Sequence, residues 1–323
     1  MRTRLIIVGA LFLLLSISAS AKIWRVNNNS GINADFTTAQ EAHDGASFGD
    51  TLFFEGSPDS YGNLVMTKKL VIIGPGYHLI LNENTQVSKA SARITKIDIN
   101  DGAQHSIIMG MDFYAHGGYQ HDTSINTDSV TITRCKLNQI NFVSASRTSA
   151  VGVVISQCFI ALGGINYGYS SGNTTISNVI IVNNIIDGHG HISIKGKGHL
   201  IANNYISETV KVEGSKISSN IIKGEIFENE TNALSYNRAN VGNSVASYFT
   251  QNSESPDGYF MLAENSPAKG AGEGGIDCGP YGGVNPYVLS GIPKGPHIYD
   301  AVIGSSATIE DGLKISIKIK TQL

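Results

Sequence analysis

The chain has 323 residues and a formal net charge of −3 at pH 7, and only 15% of its residues are charged. This composition excludes the basic patches that hold nucleic acid, so we expect no nucleic-acid partner. The 36 Gly and 27 Asn, beside only 8 Pro, favour many turns between short strands. Both residue types tolerate positive φ and disfavour helix interiors.

The first 21 residues are typical of a signal peptide. Arg2 and Arg4 precede the apolar run LIIVGALFLLL, and the small residues at 19–21 (ASA) provide a cleavage site. A membrane anchor is the alternative, but the run is shorter than the ~20 residues that a spanning helix needs. We therefore expect an exported protein, periplasmic, cell-surface or extracellular, with no membrane span in the mature chain.

A short helix is predicted near the start of the mature chain. Thr38 and Glu41 have the spacing of a capping box, in which each residue satisfies a backbone N–H of the first helical turn. The strand GDTLFF follows, and NLVM and KLVIIGPGY have the pattern of the first full coils of a solenoid. Because the terminal coils of a solenoid need covering, we interpret the helix as an N-terminal cap.

Five copies of the pattern I-x-x-[C/N]-x-[I/L] occupy the middle of the chain, and one weaker copy precedes them. Their first residues are 24, 23, 26, 20 and 16 positions apart. A period of about twenty residues with short alternating strands predicts an all-β parallel solenoid, here of roughly 8–10 coils. The copies are Ile108/Met111/Phe113, Ile132/Cys135/Leu137, Ile155/Cys158/Ile160, Ile181/Asn184/Ile186, Ile201/Asn204/Ile206 and Ile217/Asn220/Ile222.

The Cys or Asn position of the repeat predicts a tight corner. A continuous strand would turn the last apolar residue of the pattern outward, so the chain must bend between the two strands. Corners of successive coils lie about 4.8 Å apart, which lets Asn184, Asn204 and Asn220 form an amide ladder. Cys135 and Cys158 occupy equivalent corners, where parallel Cβ vectors disfavour a disulfide, and we expect buried thiols that continue the stack.

A second strand follows each corner, with apolar residues facing inward and one column of polar side chains facing outward. We interpret this column and its flanks as a candidate glycan-binding strip, although an ordinary solvated face would give the same pattern. We expect no metal ligands in it. The candidate residues are Asn141, Asn166, His191, Ser193, Lys195 and Lys211.

The composition changes after residue 285. The segment NPYVLSGIPKGPHIYD is rich in Pro and Gly, and LKISIKIKTQL has the alternation of one amphipathic strand. We expect residues 286–323 to form a C-terminal β tail or a cap over the open end of the solenoid. Pairing along the side of the solenoid and a role as a secretion or attachment tail are the alternatives.

The segments SFGDTLFFEGSPDSYGNLVMTKKLVIIGPGY and NSPAKGAGEGGIDCGPYGG, together with the repeats, resemble secreted proteins of the pectin-lyase-like superfamily. The resemblance covers most of residues 22–285. It implies a right-handed parallel β-helix domain over that range. It leaves function open, because the superfamily holds lyases, hydrolases, esterases, adhesins and proteins without known activity.

The stretch GHGHISIKG, residues 188–196, resembles the Gly-His-Gly motif of polygalacturonase-type hydrolases. That mechanism needs paired carboxylates on neighbouring coils, one as acid and one as base. The chain reads ALGGINY where the Asp pair of the family would fall, and no Arg-Ile-Lys follows. We therefore expect residues 188–190 to form a turn between two strands of one coil.

A polysaccharide lyase is the better enzymatic alternative. Lys195 or Lys211 would act as the base that removes the proton α to a uronate carboxylate, and such lyases usually add Ca²⁺ held by several acids. Acids and histidines occur in the loop MDFYAHGGYQHDTSINTD, but their convergence is not readable from sequence. We predict a non-catalytic glycan-binding or structural protein of the cell surface, with no cofactor. The alternative is a lyase or glycoside hydrolase acting on uronate-type polysaccharide.

Overall fold

The computed structural model describes residues 21–82, 84–113, 123–142, 149–167, 175–227, 230–251, 254–309 and 312–322. Residues 1–20 of the predicted signal peptide and residues 114–122 of the His- and Asp-rich loop lie outside these ranges. Within them, no helix is both long and apolar enough to cross a membrane.

The described residues form one α-helix, α1 (Ala39–Gly45), near the start of the chain, and 26 strands. The first thirteen strands are β1 (Ile23–Val26), β2 (Thr51–Phe54), β3 (Asn63–Met66), β4 (Val71–Ile73), β5 (Arg93–Ile94), β6 (Lys96–Ile99), β7 (Ile107–Met109), β8 (Asp112–Phe113), β9 (Thr123–Ile125), β10 (Thr131–Thr133), β11 (Lys136–Phe142), β12 (Ser149–Val151) and β13 (Val154–Ser156). The others are β14 (Phe159–Tyr167), β15 (Thr175–Ser177), β16 (Ile180–Val182), β17 (Ile185–Ile186), β18 (Ile192–Ser193), β19 (Leu200–Ala202), β20 (Tyr205–Ile206), β21 (Val210–Lys211), β22 (Lys216–Ser218), β23 (Ile221–Ile222), β24 (Ala233–Ser235), β25 (Gly295–Thr308) and β26 (Gly312–Gln322). Four 3-10 helices span Gly242–Tyr248, Gly258–Phe260, Glu273–Gly275 and Leu289–Gly291.

The strands form two long parallel sheets, as the repeats predict. The first sheet has ten strands in the order β1-β2-β4-β7-β10-β13-β16-β19-β22-β24, and each coil contributes one of them. The second sheet has twelve strands, including β11, β14, β17, β18, β20, β21 and β23. The prediction of a parallel β-helix with a short capping helix is confirmed, and the first sheet places the number of coils at the upper end of the predicted range.

The N-terminal helix begins at the predicted cap. The Thr38 hydroxyl accepts a hydrogen bond from the Glu41 N–H at 3.3 Å, which satisfies one of the free donors of the first turn. Ala39 and Ala42 are fully buried against the first coils. The helix therefore covers the N-terminal end of the core.

The core consists of columns of aliphatic side chains that run through the coils. One column follows the inward position of the first sheet, and each of its members is at most 1% exposed. Burying one such side chain contributes about 1.5–3 kcal/mol, so the column is a large part of the stability. Its members are Leu52, Ile72, Ile108, Ile132, Ile155, Ile181, Ile201 and Ile217.

The corner after each first-sheet strand carries the predicted amide ladder. Asn184 Nδ2 donates to Asn204 Oδ1 at 2.9 Å, and Asn204 Nδ2 donates to Asn220 Oδ1 at 3.0 Å. Asn220 Nδ2 continues the ladder to Asn237 Oδ1 at 2.9 Å. Asn237 was not predicted, because its coil reads LSYNRA and lacks both isoleucines of the pattern.

Cysteines occupy the two preceding corners. Cys135 and Cys158 are free and fully buried, as predicted. The Cys158 N–H donates to Asn184 Oδ1 at 2.9 Å, so the cysteines continue the stack. Burial raises the pKa of the Cys158 thiol to about 12, which keeps it protonated.

Among the described residues, β24 is the last strand of the two parallel sheets, and the domain boundary at residue 285 stays a prediction. Described side chains from the segment between residues 242 and 292 pack against an outward column that runs along the second sheet. The column members Phe159, Ile185, Tyr205 and Ile221 pair in register on successive coils. With the rings of Tyr248, Phe249, Phe260 and Tyr287 they form a second apolar cluster, separate from the core of the solenoid.

The predicted amphipathic strand is β26, and it forms an antiparallel hairpin with β25. The hairpin is a sheet of its own and pairs with neither solenoid sheet. Its base contacts an early coil, where the Val87 N–H donates to the Ile298 carbonyl at 3.0 Å. β25 supplies the partner strand that the sequence analysis did not assign.

Candidate functional site

The predicted polar strip follows the register of the second sheet. Asn141 pairs with Asn166, Asn166 with Ser193, and Ser193 with Lys211. The residues on either side of each column member are apolar and, except for Tyr167, buried, because side chains alternate along a strand. The four residues therefore form one column across four coils, as the sequence analysis expects.

A groove of about 520 Å³ opens at the C-terminal end of this column. Ser193, Lys195 and Lys211 line it, so half of the candidate residues meet in one place. Its volume falls within the range of small-ligand sites. The side chains of Glu213, Tyr167 and Phe227 also line the groove.

An aromatic ring lies next to the ammonium group of each lysine. Lys195 Nζ lies 4.4 Å from the centroid of the Tyr167 ring, within the range of a cation–π contact. Lys211 Nζ lies 5.8 Å from the centroid of Phe227, whose side chain is 45% exposed. Both lysines are exposed, and their ammonium groups can reach a ligand in the groove. Charged donors beside ring faces are the chemistry that holds acidic sugars.

A buried histidine, His199, makes hydrogen bonds that hold the turn containing Lys195 in place. His199 Nδ1 accepts the Val179 N–H at 3.2 Å, and Nε2 lies 3.2 Å from the Lys195 carbonyl, to which it donates. Both contacts require the neutral ring protonated on Nε2. Burial lowers the pKa of the His199 imidazole, which favours that neutral form.

The other three candidate residues do not line the groove. Asn141 is only 1% exposed, although it belongs to the outward column. Asn166 is half-buried and donates through Nδ2 to the Gly163 carbonyl at 2.8 Å. His191 is half-buried, with Nδ1 3.3 Å from the carbonyl of His189. The strip is thus accessible chiefly on its last coils.

The GHG motif forms the predicted turn, between β17 and β18. Gly188 and His189 have positive φ values of 58° and 73°. A Cβ at Gly188 would lie 2.1 Å from the Ala161 carbonyl oxygen, so only glycine fits. The His189 side chain is 92% exposed, and its Nδ1 lies 3.6 Å from Glu208 Oε1.

The acids of the long loop have partners of their own. Asp112 pairs with Lys136 Nζ at 3.2 Å, and Asp128 Oδ1 accepts the Val151 N–H at 2.8 Å. His116, His121 and Asp122 lie outside the described residues. In the part of the chain that the structure describes, no group of three or more His, Cys, Asp or Glu side chains could hold a metal ion.

Phe227 was missed by the sequence analysis. The bridge between Val210 and Ile226 places it directly after Lys211 in the outward column. Its coil reads GEIFE, which has one apolar inward residue where the other coils have two. Extending the column by one coil from Ile226 would have found it.

Comparison with protein-family models, with curated proteins and with solved structures finds no match to this chain.

Proposed function

We propose that this is an exported protein whose groove binds an acidic polysaccharide without cleaving it. The observation that carries the proposal is the meeting of Ser193, Lys195 and Lys211 in one groove with an aromatic ring at each lysine. Membership of the pectin-lyase-like superfamily is part of the same proposal. It is supported by the parallel β-helix and by the resemblance in sequence.

The charges in the groove favour a carboxylated sugar. Two ammonium groups face one carboxylate, that of Glu213, so the lining side chains carry a net positive charge. A uronate would place its carboxylate between the lysines and its hydroxyl groups near Ser193 and Glu213. The exposed ring of Phe227 would stack on the apolar face of a pyranose.

The spacing of the coils suits a chain of sugars. Lys195 and Lys211 lie on adjacent coils, and adjacent coils are about 4.8 Å apart. This step is comparable to the length of one sugar residue in a polysaccharide. A chain running along the solenoid axis would therefore meet one coil per sugar residue.

Calorimetric titration of polygalacturonate and alginate, with neutral galactan for comparison, tests the proposal. The double variant Lys195→Ala/Lys211→Ala should weaken binding of the acidic polymers about tenfold or more, which corresponds to ~1.4 kcal/mol. Lys216→Ala is the matched control, because Lys216 is an exposed lysine of the same region on the first sheet. It should change affinity by less than about twofold. Equal affinity of the double variant and the unaltered protein would refute the proposal, as would the failure of both acidic polymers to bind.

A uronate lyase is the second candidate, because two lysines and Tyr167 line the same groove. In such a reaction a basic side chain takes the proton α to the carboxylate, and the glycosidic C–O bond breaks with its electron pair leaving on oxygen. That oxygen takes up a proton, and the products are an unsaturated uronate and a new reducing end. Incubation with each polymer, followed by absorbance of the unsaturated product and a reducing-end assay, separates the candidates. If the unaltered protein forms product and the double variant does not, the groove is the active site of a lyase, and the proposal of binding without cleavage is wrong.

A further inference from the structure

A second cavity, of about 450 Å³, lies beside the aromatic cluster outside the solenoid. Its walls come from the ends of β17, β20 and β23 and from the C-terminal segment. The lining residues of that segment are Val245, Phe249, Glu254, Ser255, Pro256, Tyr259 and Phe260. Asp187 lines this cavity immediately before the GHG turn, and Ser193, three residues after that turn, lines the first groove. The two cavities therefore lie on opposite sides of one turn.

Four aromatic rings form the floor of this cavity. Tyr205, Phe249 and Phe260 are at most 5% exposed, and their ring centroids lie 4.6–5.3 Å apart. Tyr259 is half-buried and lies against Phe260, with centroids 5.1 Å apart. Because the three inner rings are packed, Tyr259 presents a fixed aromatic surface to the cavity.

A buried polar group faces the same space. Tyr205 is 4% exposed and lines the cavity, and its hydroxyl makes no hydrogen bond to any described residue. Burial raises the pKa of this phenol, and the nearby Asp187 and Glu208 carboxylates add to the shift. This hydroxyl is therefore a donor and acceptor that a ligand hydroxyl in the cavity can engage.

Three charged side chains stand at the rim. Asp187, Lys223 and Glu254 line the cavity, and none makes a side-chain hydrogen bond or an ion pair with a described residue. Asp187 and Lys223 occupy equivalent positions two coils apart, a separation of about 10 Å. The rim thus offers two acceptors and one donor on either side of the aromatic floor.

We propose that this cavity is a second saccharide site, which binds an uncharged pyranose. The ring of Tyr259 would stack on the C–H face of the sugar, as aromatic side chains do with apolar faces. The carboxylates would accept hydrogen bonds from sugar hydroxyl groups, and the Tyr205 hydroxyl would gain a partner. The net negative charge of the rim disfavours a uronate, which is the opposite of the first groove. The two proposed sites can therefore be tested independently of each other.

Calorimetric titration of the unaltered mature protein with cellohexaose, mannohexaose and hexagalacturonate tests the proposal. At least one neutral hexasaccharide should bind, and Tyr259→Ala should weaken its binding about tenfold or more. Tyr259→Phe keeps the ring and should stay within about threefold. Lys211→Ala alters only the first groove and should leave the affinity for the neutral sugar unchanged. If Tyr259→Ala does not fold, Asp187→Asn, at the half-buried rim, should weaken the same binding about fivefold.

Three results would overturn the proposal. The first is that neither neutral hexasaccharide binds. The second is that Tyr259→Ala and Asp187→Asn both bind the neutral sugar as tightly as the unaltered protein. The third is that hexagalacturonate displaces the neutral sugar from this cavity. The first groove is judged separately by the loss of hexagalacturonate binding in Lys211→Ala. Failure at one site is therefore distinguishable from failure at the other.

Discussion

The side-chain amide of Asn204 makes hydrogen bonds to two neighbouring coils at once. Its Oδ1 accepts from both nitrogens of Asn184, and its Nδ2 donates to Asn220 Oδ1 and to the Ile181 carbonyl. All of these groups are buried, so water cannot replace a lost partner. Each ladder residue therefore stabilises the coil before it and the coil after it.

Asn204→Ala should lower the free energy of unfolding by about 1–3 kcal/mol, because it leaves buried donors and acceptors without partners. Urea denaturation followed by circular dichroism gives the value. Asn63→Ala is the control, since Asn63 is exposed on β3, and it should cost less than about 0.5 kcal/mol. An unchanged unfolding midpoint for Asn204→Ala would argue against the ladder as a source of stability.

Asp257 has the same role for the C-terminal segment. It is 0% exposed and accepts hydrogen bonds from Asn82 Nδ2 at 2.9 Å and from the Ser290 N–H at 2.7 Å. It thereby joins an early coil to the end of the segment. Despite the opposing effect of burial, the His78 imidazole, whose Nδ1 lies 3.7 Å from Oδ1, and hydrogen bonds from Ser255, Ser290 and Asn82 lower the pKa of this carboxyl to about 2.

The lowered pKa predicts a loss of stability in acid. The unfolded chain binds the proton at its usual pKa near 3.8, before the folded protein does, so the contribution of Asp257 is complete above that pH. It should decline as the pH falls from about 4 to about 2, by about 2 kcal/mol. Unfolding free energies measured between pH 5 and pH 2 should fall less steeply for Asp257→Asn. Parallel curves would show that another group controls the acid response.

At the level of elements, two glycines with a left-handed backbone differ in the space around them. Gly188 combines positive φ with a close approach to the Ala161 carbonyl. Gly242 has a similar φ of 52° but nothing within 4 Å of its Cβ position. Alanine variants of these two glycines therefore separate the free-energy cost of backbone strain from that of a steric clash.

Gly242→Ala should destabilise the fold by about 1–2 kcal/mol, the cost of a left-handed backbone for a residue with a Cβ. Gly188→Ala should cost clearly more, about 3 kcal/mol, because the clash adds to the same strain. Thermal unfolding of both variants provides the comparison. Equal costs would mean that the coil relaxes around Gly188 and that the glycine is not needed for space.

The repeating elements were predictable because their cause is local. Within one coil, the two isoleucines of the repeat determine the inward columns. The corner residue between them determines the bend and the position of the ladder. The accessibility of the polar column was not predictable in the same way. Asn141 has the outward register of Ser193 but is only 1% exposed, and the repeat pattern does not distinguish the two positions. The cavity at Tyr259 depends on contacts between β20 and a segment more than forty residues later.

At the level of the whole molecule, the described structure has two cavities of different chemistry that flank the turn at residues 188–190. The first groove holds Lys195 and Lys211 beside aromatic rings, and the second cavity holds Asp187 and Glu254 around Tyr259. The C-terminal segment creates the second by packing on the outward column of the second sheet. On the two proposals, an acidic glycan would contact the solenoid at the first groove, and an uncharged saccharide would contact this segment at the second cavity.

Hydrogen–deuterium exchange of the protein with and without polygalacturonate tests the central claim most directly, because it locates the bound polymer. Peptides that span residues 192–198 and 209–214 should exchange more slowly in the presence of the polymer. Peptides that span β10 and β13, on the first sheet, should exchange at the same rate. Protection confined to the first sheet or to the C-terminal hairpin, with the groove peptides unchanged, would contradict the assignment of the groove as the acidic-glycan site.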